Sequence, residues 1–170
     1  MYMKVTTAIR HFSSPEAEEM IASFITTHPQ GVVSTLAKNG VIQGSVVNVY
    51  EIDNFHLVFM TKRSTRKFKN LQSNPTISFV TYDPFSRTEA EIEGIAQLVH
   101  DKTQEKEILK IIKDDGKKGK WHISPYVTSE DDFALFVIYP KKAHMTTYWN
   151  RSSGIEAFHE SLEFEVKMKS

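Results

Sequence analysis

Five of the chain's 21 cationic side chains, Lys62, Arg63, Arg66, Lys67 and Lys69, fall within eight consecutive residues. Ser64 and Thr65 lie among them as hydroxyl donors. The stretch reads as a strand end running into the first turn of a helix. A helix start exposes unpaired N–H groups and the positive end of the helix dipole. Cations there oppose the helix, so Arg66 and Lys67 are misplaced unless an anion accompanies them. A dianionic phosphate on the helix start resolves the conflict, because backbone N–H groups and cations then converge on it. A solvated basic turn is the alternative that the residues leave open.

Other candidates for chemistry are weaker. Gly116-Lys117-Lys118-Gly119-Lys120 lacks the glycine spacing and the Ser or Thr of a nucleotide-triphosphate loop, and reads as a surface loop. The seven histidines (His11, His28, His56, His100, His122, His144 and His159) show no metal-ligand spacing, so no metal site is expected. No Gly-x-Ser-x-Gly elbow is present, and without cysteine there is neither thiol chemistry nor a disulfide. Glu89, Glu91 and Glu93 alternate with Ala90 and Ile92 and read as the wet face of a strand. Trp149 reads as core packing or as an aromatic lid over a ligand.

These residues must be positioned by a mostly β chain. Ser13-Ser14-Pro15-Glu16 starts a helix whose apolar face is Ala17, Met20, Ile21, Phe24 and Ile25. Strands are expected over Gly31–Ala37 and Val41–Ile52, joined at Asn39-Gly40, where both residues tolerate positive φ. Asp53-Asn54 turns into a strand over Phe55–Thr61. A helix from Thr65 to about Ser73 follows, then strands over Thr76–Asp83 and Thr88–His100, with Gly94 suggesting a bulge or a close backbone approach. Thr103–Lys113 reads as a helix and Asp114–Asp132 as a polar loop. Two further strands, Phe133–Tyr139 and Ala143–Tyr148, meet at Pro140-Lys141-Lys142. The tail, with Phe164, Val166 and Met168 alternating, reads as an edge strand or a fraying end. Hairpin-linked strands with three helices predict a mainly antiparallel β-barrel with helices over its ends and gaps.

Composition sets the class. The chain has 170 residues, 40% of them hydrophobic and 11% aromatic, and 21 acids balance 21 bases. That predicts one domain over 1–170, with a core at about 14–149 and an extension at 150–170. Zero net charge disfavours a nucleic-acid-binding barrel built on Lys62, Arg66, Lys67 and Lys69. With no apolar run near the ~18 residues a bilayer needs, a cytoplasmic protein without a membrane partner is expected. Three strands are apolar on both faces, around Val46–Val49, Phe55–Met60 and Ala134–Tyr139. A single barrel has one interior, so helices and a second copy of the chain are expected to cover the outer faces.

An ordered series of short motifs then resembles a known family. Gly31-Val32-Val33-Ser34-Thr35-Leu36, Gly44-Ser45-Val46-Val47-Asn48, Met60-Thr61-Lys62, Ser64-x-Arg66-Lys67-x-x-Asn70-Leu71, Asn74-Pro75-x-Ile77-Ser78 and Ile92-Glu93-Gly94 follow the order of pyridoxamine phosphate oxidase-like proteins, the FMN-binding split β-barrels. The resemblance implies an antiparallel Greek-key split barrel, a homodimer and an FMN at the subunit interface. It implies that Arg66 and Lys67, with Ser64 and Lys62, hold the FMN phosphate. Ser45, Val46, Val47 and Asn48 are similar to the strand lining the pyrimidine edge of the flavin, and Met60 and Thr61 to the strand end beneath the ring. Trp149 is similar to an aromatic that approaches the flavin from the partner subunit. Glu89 stands where the true oxidases carry a glutamine. The oxidases' Arg-Leu-His substrate motif is absent after Trp149, so vitamin B6 oxidation is not expected. A flavin-dependent oxidoreductase acting on another small substrate is the reading. Its alternatives are a non-catalytic flavin-binding or redox-sensing module, and a split barrel holding a deazaflavin or haem.

Overall fold

The structure is a computed structural model that describes residues 6–8, 14–53, 55–117, 132–150 and 157–165. In chain order the elements are β1 (Thr6–Ala8), α1 (Ser14–Thr27), β2 (Gln30–Leu36), β3 (Ile42–Asp53), β4 (His56–Lys62), α2 (Arg66–Ser73), β5 (Thr76–Asp83), β6 (Thr88–Leu98), α3 (Lys102–Lys117), β7 (Phe133–Asn150) and β8 (Ala157–Glu165). The sheet order is β1-β8-β7-β4-β3-β2-β5-β6, and β6 also pairs with β7, which closes β7-β4-β3-β2-β5-β6 into a barrel. Every pairing around that ring is antiparallel. β8 pairs with the far half of β7, and β1 runs parallel to β8. The three residues of β1 are too few to show a period, and the sequence gives no sign of it. Val166 and Met168 of the expected tail strand, and most of the expected 114–132 loop, lie outside the described residues.

β7 differs from expectation and makes the barrel split. Two strands interrupted at Pro140 are expected; one strand of 18 residues is found. It pairs with β4 from Phe133 to Ile138 and with β8 from Lys142 to Asn150. Pro140 falls between these two partners, where that edge needs no N–H donor. Its other edge meets Gly94 at a register shift between Glu93 and Gly94. The proline therefore marks a change of partner. Gly94 is both things expected of it: it sits at the bulge, and a Cβ there would overlap the Tyr139 carbonyl oxygen.

Two turns also depart from expectation. At Asn39-Gly40 only Gly40 has positive φ, at 81°. Asn39 acts through its side chain, whose Oδ1 accepts from Val41 N at 3.3 Å. After Asp53 it is Phe55 that takes a left-handed conformation, φ 68°, so β4 begins at His56. Phe55 is buried in the interior cluster, and that burial offsets the backbone cost.

The barrel interior is filled by Phe59, Phe79, Phe136, Ile92 and Val33, with Ile21 and Ile25 of α1 and Phe68 and Leu71 of α2 packed into it. A second cluster lies outside, where Ile108 and Ile112 of α3, with Val99, cover Tyr50, Val58, Leu135 and Val137. Helix α3 thus accounts for the outer apolar faces of β4 and β7. It does not account for Val46, which is 63% exposed beside its cross-strand partner Val32 at 42%.

Helix α2 is tied to the barrel by a buried polar side chain. Asn70 Nδ2 donates to Thr35 Oγ1 at 3.0 Å and to Gln43 Oε1 at 3.1 Å, joining α2 to β2 and β3. Asn70→Ala strands both acceptors and is expected to lower the unfolding free energy by about 1–3 kcal/mol. The measurement is the urea midpoint at unchanged slope. A loss too small to resolve would mean that packing alone holds α2.

Candidate cofactor site

The basic stretch lies where the chain passes from β4 into α2. Thr65 is the N-cap residue, at φ −75° and ψ 156°. Its Oγ1 accepts from Phe68 N at 3.3 Å and donates to Lys62 O at 2.8 Å. With that proton committed, Thr61 is the donor in the 3.0 Å contact between the Thr61 and Thr65 hydroxyls. This corrects one expectation: the Thr65 hydroxyl is used by the helix cap, and Ser64 is the hydroxyl left exposed. Arg63 is also engaged, its guanidinium 5.6 Å from the centre of the Phe68 ring.

Arg66 and Lys67 are the first two residues of α2, and its first turn holds no acid. Lys62 and Arg66 are exposed, whereas Lys67 is half-buried. Among the described residues no carboxylate pairs with Lys67. Burial lowers its ammonium from the usual lysine range, since the charged form loses water without gaining a partner. A bound anion would supply that partner.

Beside this corner rises the wall formed by β3 and β4. Val47 points into the barrel core, so Val46 and Asn48 take the outer face. Val49 pairs with Phe59, which sets Asn48 next to Met60 across the ladder. Met60 packs on the outer cluster, while Thr61 shares the inward side of Phe59. The expected set therefore divides. Val46, Asn48 and Met60 share the outer face; Ser45, Val47 and Thr61 face inward and present only backbone to an outer ligand. Asn48 Oδ1 is buried without a hydrogen-bond partner, the one such side-chain atom among the described residues. An orphaned acceptor on the wall that leads through β4 to the α2 start, where Lys67 has no described carboxylate partner, fits a ligand carrying both an N–H donor and an anionic group.

Two expected residues are not brought to this corner within one chain. Glu89 pairs with Thr146 of β7, and Trp149 lies three residues further along that strand. Lys62, at the cation cluster, pairs with Phe133 at the opposite end of β7. Sixteen residue-to-residue steps of strand separate Phe133 from Trp149, about 50 Å of chain contour. The Trp149 side chain lies outside the described residues.

The described histidines form no metal cluster. His28 Nε2 lies 3.7 Å from Asp83, and His56 Nδ1 lies 3.0 Å from Asp53. Ser86 bonds to Asp83 and not to the imidazole, so His28, Asp83 and Ser86 do not form a nucleophilic triad. No described helix is long and apolar enough to cross a membrane.

No curated protein sequence is a significant match. Solved structures of similar fold include an FMN-binding protein related to pyridoxamine 5'-phosphate oxidase from Nostoc punctiforme, at 13% identity and TM-score 0.55, covering 92% of this chain and 100% of that one. A haem-binding protein from Mycobacterium smegmatis aligns at 15% identity and TM-score 0.63, over 91% of this chain and 60% of that one. An F420 reductase aligns at 22% identity and TM-score 0.55, over 71% and 94%. These likenesses establish the split-barrel fold, and proteins sharing it hold different cofactors. The sequence profile for pyridoxamine 5'-phosphate oxidase matches residues 17–147, from α1 through the partner change in β7 to near its end. With the motif order, the closed antiparallel barrel and the profile in agreement, the chain belongs to the pyridoxamine 5'-phosphate oxidase family.

Proposed function

We propose that this protein binds FMN, with the phosphate on the α2 start and the ring along the outer face of β3 and β4, and serves as a flavin-dependent oxidoreductase on a small substrate. The observation that carries the reading is Lys67, a half-buried cation with no described carboxylate partner on a helix start that has no acid. Bound FMN supplies the redox chemistry through its isoalloxazine ring. The chain's own residues bind and orient it. Arg66 and Lys67, with Lys62 and Ser64 beside them, hold the phosphate; Asn48 Oδ1 offers an acceptor to a ring N–H; Val46 and Met60 exclude water from the ring's edge. Glu89 is an acid where an electron-rich reduced ring would favour a neutral group, and together with the missing Arg-Leu-His motif it argues against pyridoxamine phosphate as the substrate. The protein is expected to purify yellow, with oxidised-flavin absorbance released on denaturation. A Soret band instead would move the reading to haem, and a colourless protein that takes up no FMN would overturn it.

The site is completed by a second copy. Val32 and Val46 form an exposed apolar pair on the outer wall, and Glu89 and Trp149 lie at the far end of β7 from the cations. An antiparallel homodimer across this face covers the valines and brings one copy's Trp149 end toward the other's α2 corner. Wild-type protein is expected to scatter as twice 19.5 kDa. Val32→Glu with Val46→Glu, both at exposed positions, is expected to give folded monomers. A wild type that is monomeric at micromolar concentration would remove the second copy from the site.

A further inference from the structure

We propose that the groove between α1 and the barrel mouth is a second ligand site, suited to an organic cation with an apolar body such as an arylalkyl amine. The groove is open to solvent and offers about 760 Å³, within the range of small-molecule sites, and barrel mouths are a preferred place for them. Its floor is apolar: Met20, Phe24 and Met145 line it, and Met20 is 39% exposed in a position where nothing described covers it. Its rim is acidic: Glu16, Glu19 and Asp83 line it, and among the described residues no lysine or arginine does.

The walls are held in place. Phe24 stacks on His28 with ring centres 4.5 Å apart. The two nitrogens of His28 face Phe24 O at 3.1 Å and Asp83 at 3.7 Å. Hydrogen bonds from Ser86 and from the Phe85 backbone hold the Asp83 carboxyl below its usual range, which favours its charged form. Methionine adapts to varied apolar shapes, and a phenyl face attracts cations. An ammonium group therefore meets Glu19 and Asp83 while its apolar body meets two methionines and a phenylalanine.

Within one chain this groove and the flavin wall lie on opposite faces of the sheet. Met145 packs on the interior cluster, whereas the flavin wall is the outer face of β3 and β4. Asn48 of that wall pairs with Gln30, two residues beyond the groove's His28, so the two sites are neighbours on opposite faces of the sheet, and only the phosphate corner at α2 lies a β2 length away. The proposal stands whether or not FMN binds.

The test uses the protein as purified, labelled at its methionine methyl groups, with 2-phenylethylammonium as probe and phenylacetate as the anionic control. The cation is expected to shift the Met20 and Met145 signals saturably while Met60 stays in place. Phenylacetate is expected to bind at least tenfold more weakly. Glu19→Lys reverses one rim charge and should weaken the cation about fivefold. Ser23→Trp fills the groove and should abolish binding. Both replacements are on the exposed surface of α1, and an unchanged Met60 signal shows that the barrel is intact. Absence of a saturable shift, an equal response to phenylacetate, or indifference to either variant would overturn the proposal.

Discussion

Replacing Arg66 and Lys67 together by alanine is expected to cost about 3–5 kcal/mol of FMN affinity and to leave riboflavin affinity nearly unchanged. The two ligands share a ring system and differ by one phosphate, so their difference isolates the α2 start. Each charge-assisted bond to a phosphate is worth about 1.5–3 kcal/mol, and two that share one anion contribute less than their sum. Lys67 adds a signature of its own. Its ammonium is lowered by burial, and a phosphate beside it would raise it again. FMN binding therefore takes up a proton near the lowered value. Wild-type FMN affinity should fall as the pH rises through that region, below the ordinary 10.5, while riboflavin affinity shows no such step. The double variant should lose the step. Its fold stability should hold or rise slightly, because two cations leave the positive end of a helix. Titrating both ligands into both proteins across pH decides the matter. An equal loss for FMN and riboflavin would show that these residues act on structure and that the phosphate sits elsewhere.

Gly94→Ala is expected to lower stability by about 3 kcal/mol or more. The new Cβ would overlap the Tyr139 carbonyl oxygen, with Tyr139 C at 3.1 Å and Pro140 Cα at 3.2 Å. All three are backbone atoms of β7 where it exchanges β4 for β8. Moving them away disturbs the β4 ladder, which ends at Ile138, or the β8 ladder, which begins at Lys142. Gly40→Ala is the control. Nothing lies within 4 Å of a Cβ there, but φ is 81°, so only the left-handed backbone cost of about 1–2 kcal/mol applies. Denaturant midpoints of the two variants should differ accordingly. A Gly94→Ala loss no larger than that of Gly40→Ala would mean that β6 shifts freely at the bulge.

Local chemistry was enough to read much of this protein. The 3.6-residue period of Ala17, Ile21 and Ile25 marks α1, and all three are buried. The α2 start was legible because a cap residue followed by two cations without an acid is a conflict visible in the residues themselves. Gly94 was legible because a glycine inside a strand pattern has few uses. Antiparallel strands alternating with short turns suggested a barrel, and the motif order suggested the family.

Tertiary structure decided what depends on residues far apart in the chain. Pro140 ends a strand by local rules, yet β7 runs through it because β4 and β8 leave a gap at that place. Phe55 has no local reason to be left-handed; burial of its ring among interior side chains supplies one. The apolar outer faces of β4 and β7 look alike in the sequence to that of β3, and only packing shows that α3 covers the first two and the Tyr50 end of β3 and leaves Val46 open. Residues 28 and 83 meet at the groove across 55 positions of chain, which no spacing rule connects. Period, capping and turn chemistry act over a few residues and can be read directly. Partner exchange, helix cover and cavities depend on contacts whose loop-closure cost is met only when the whole barrel forms.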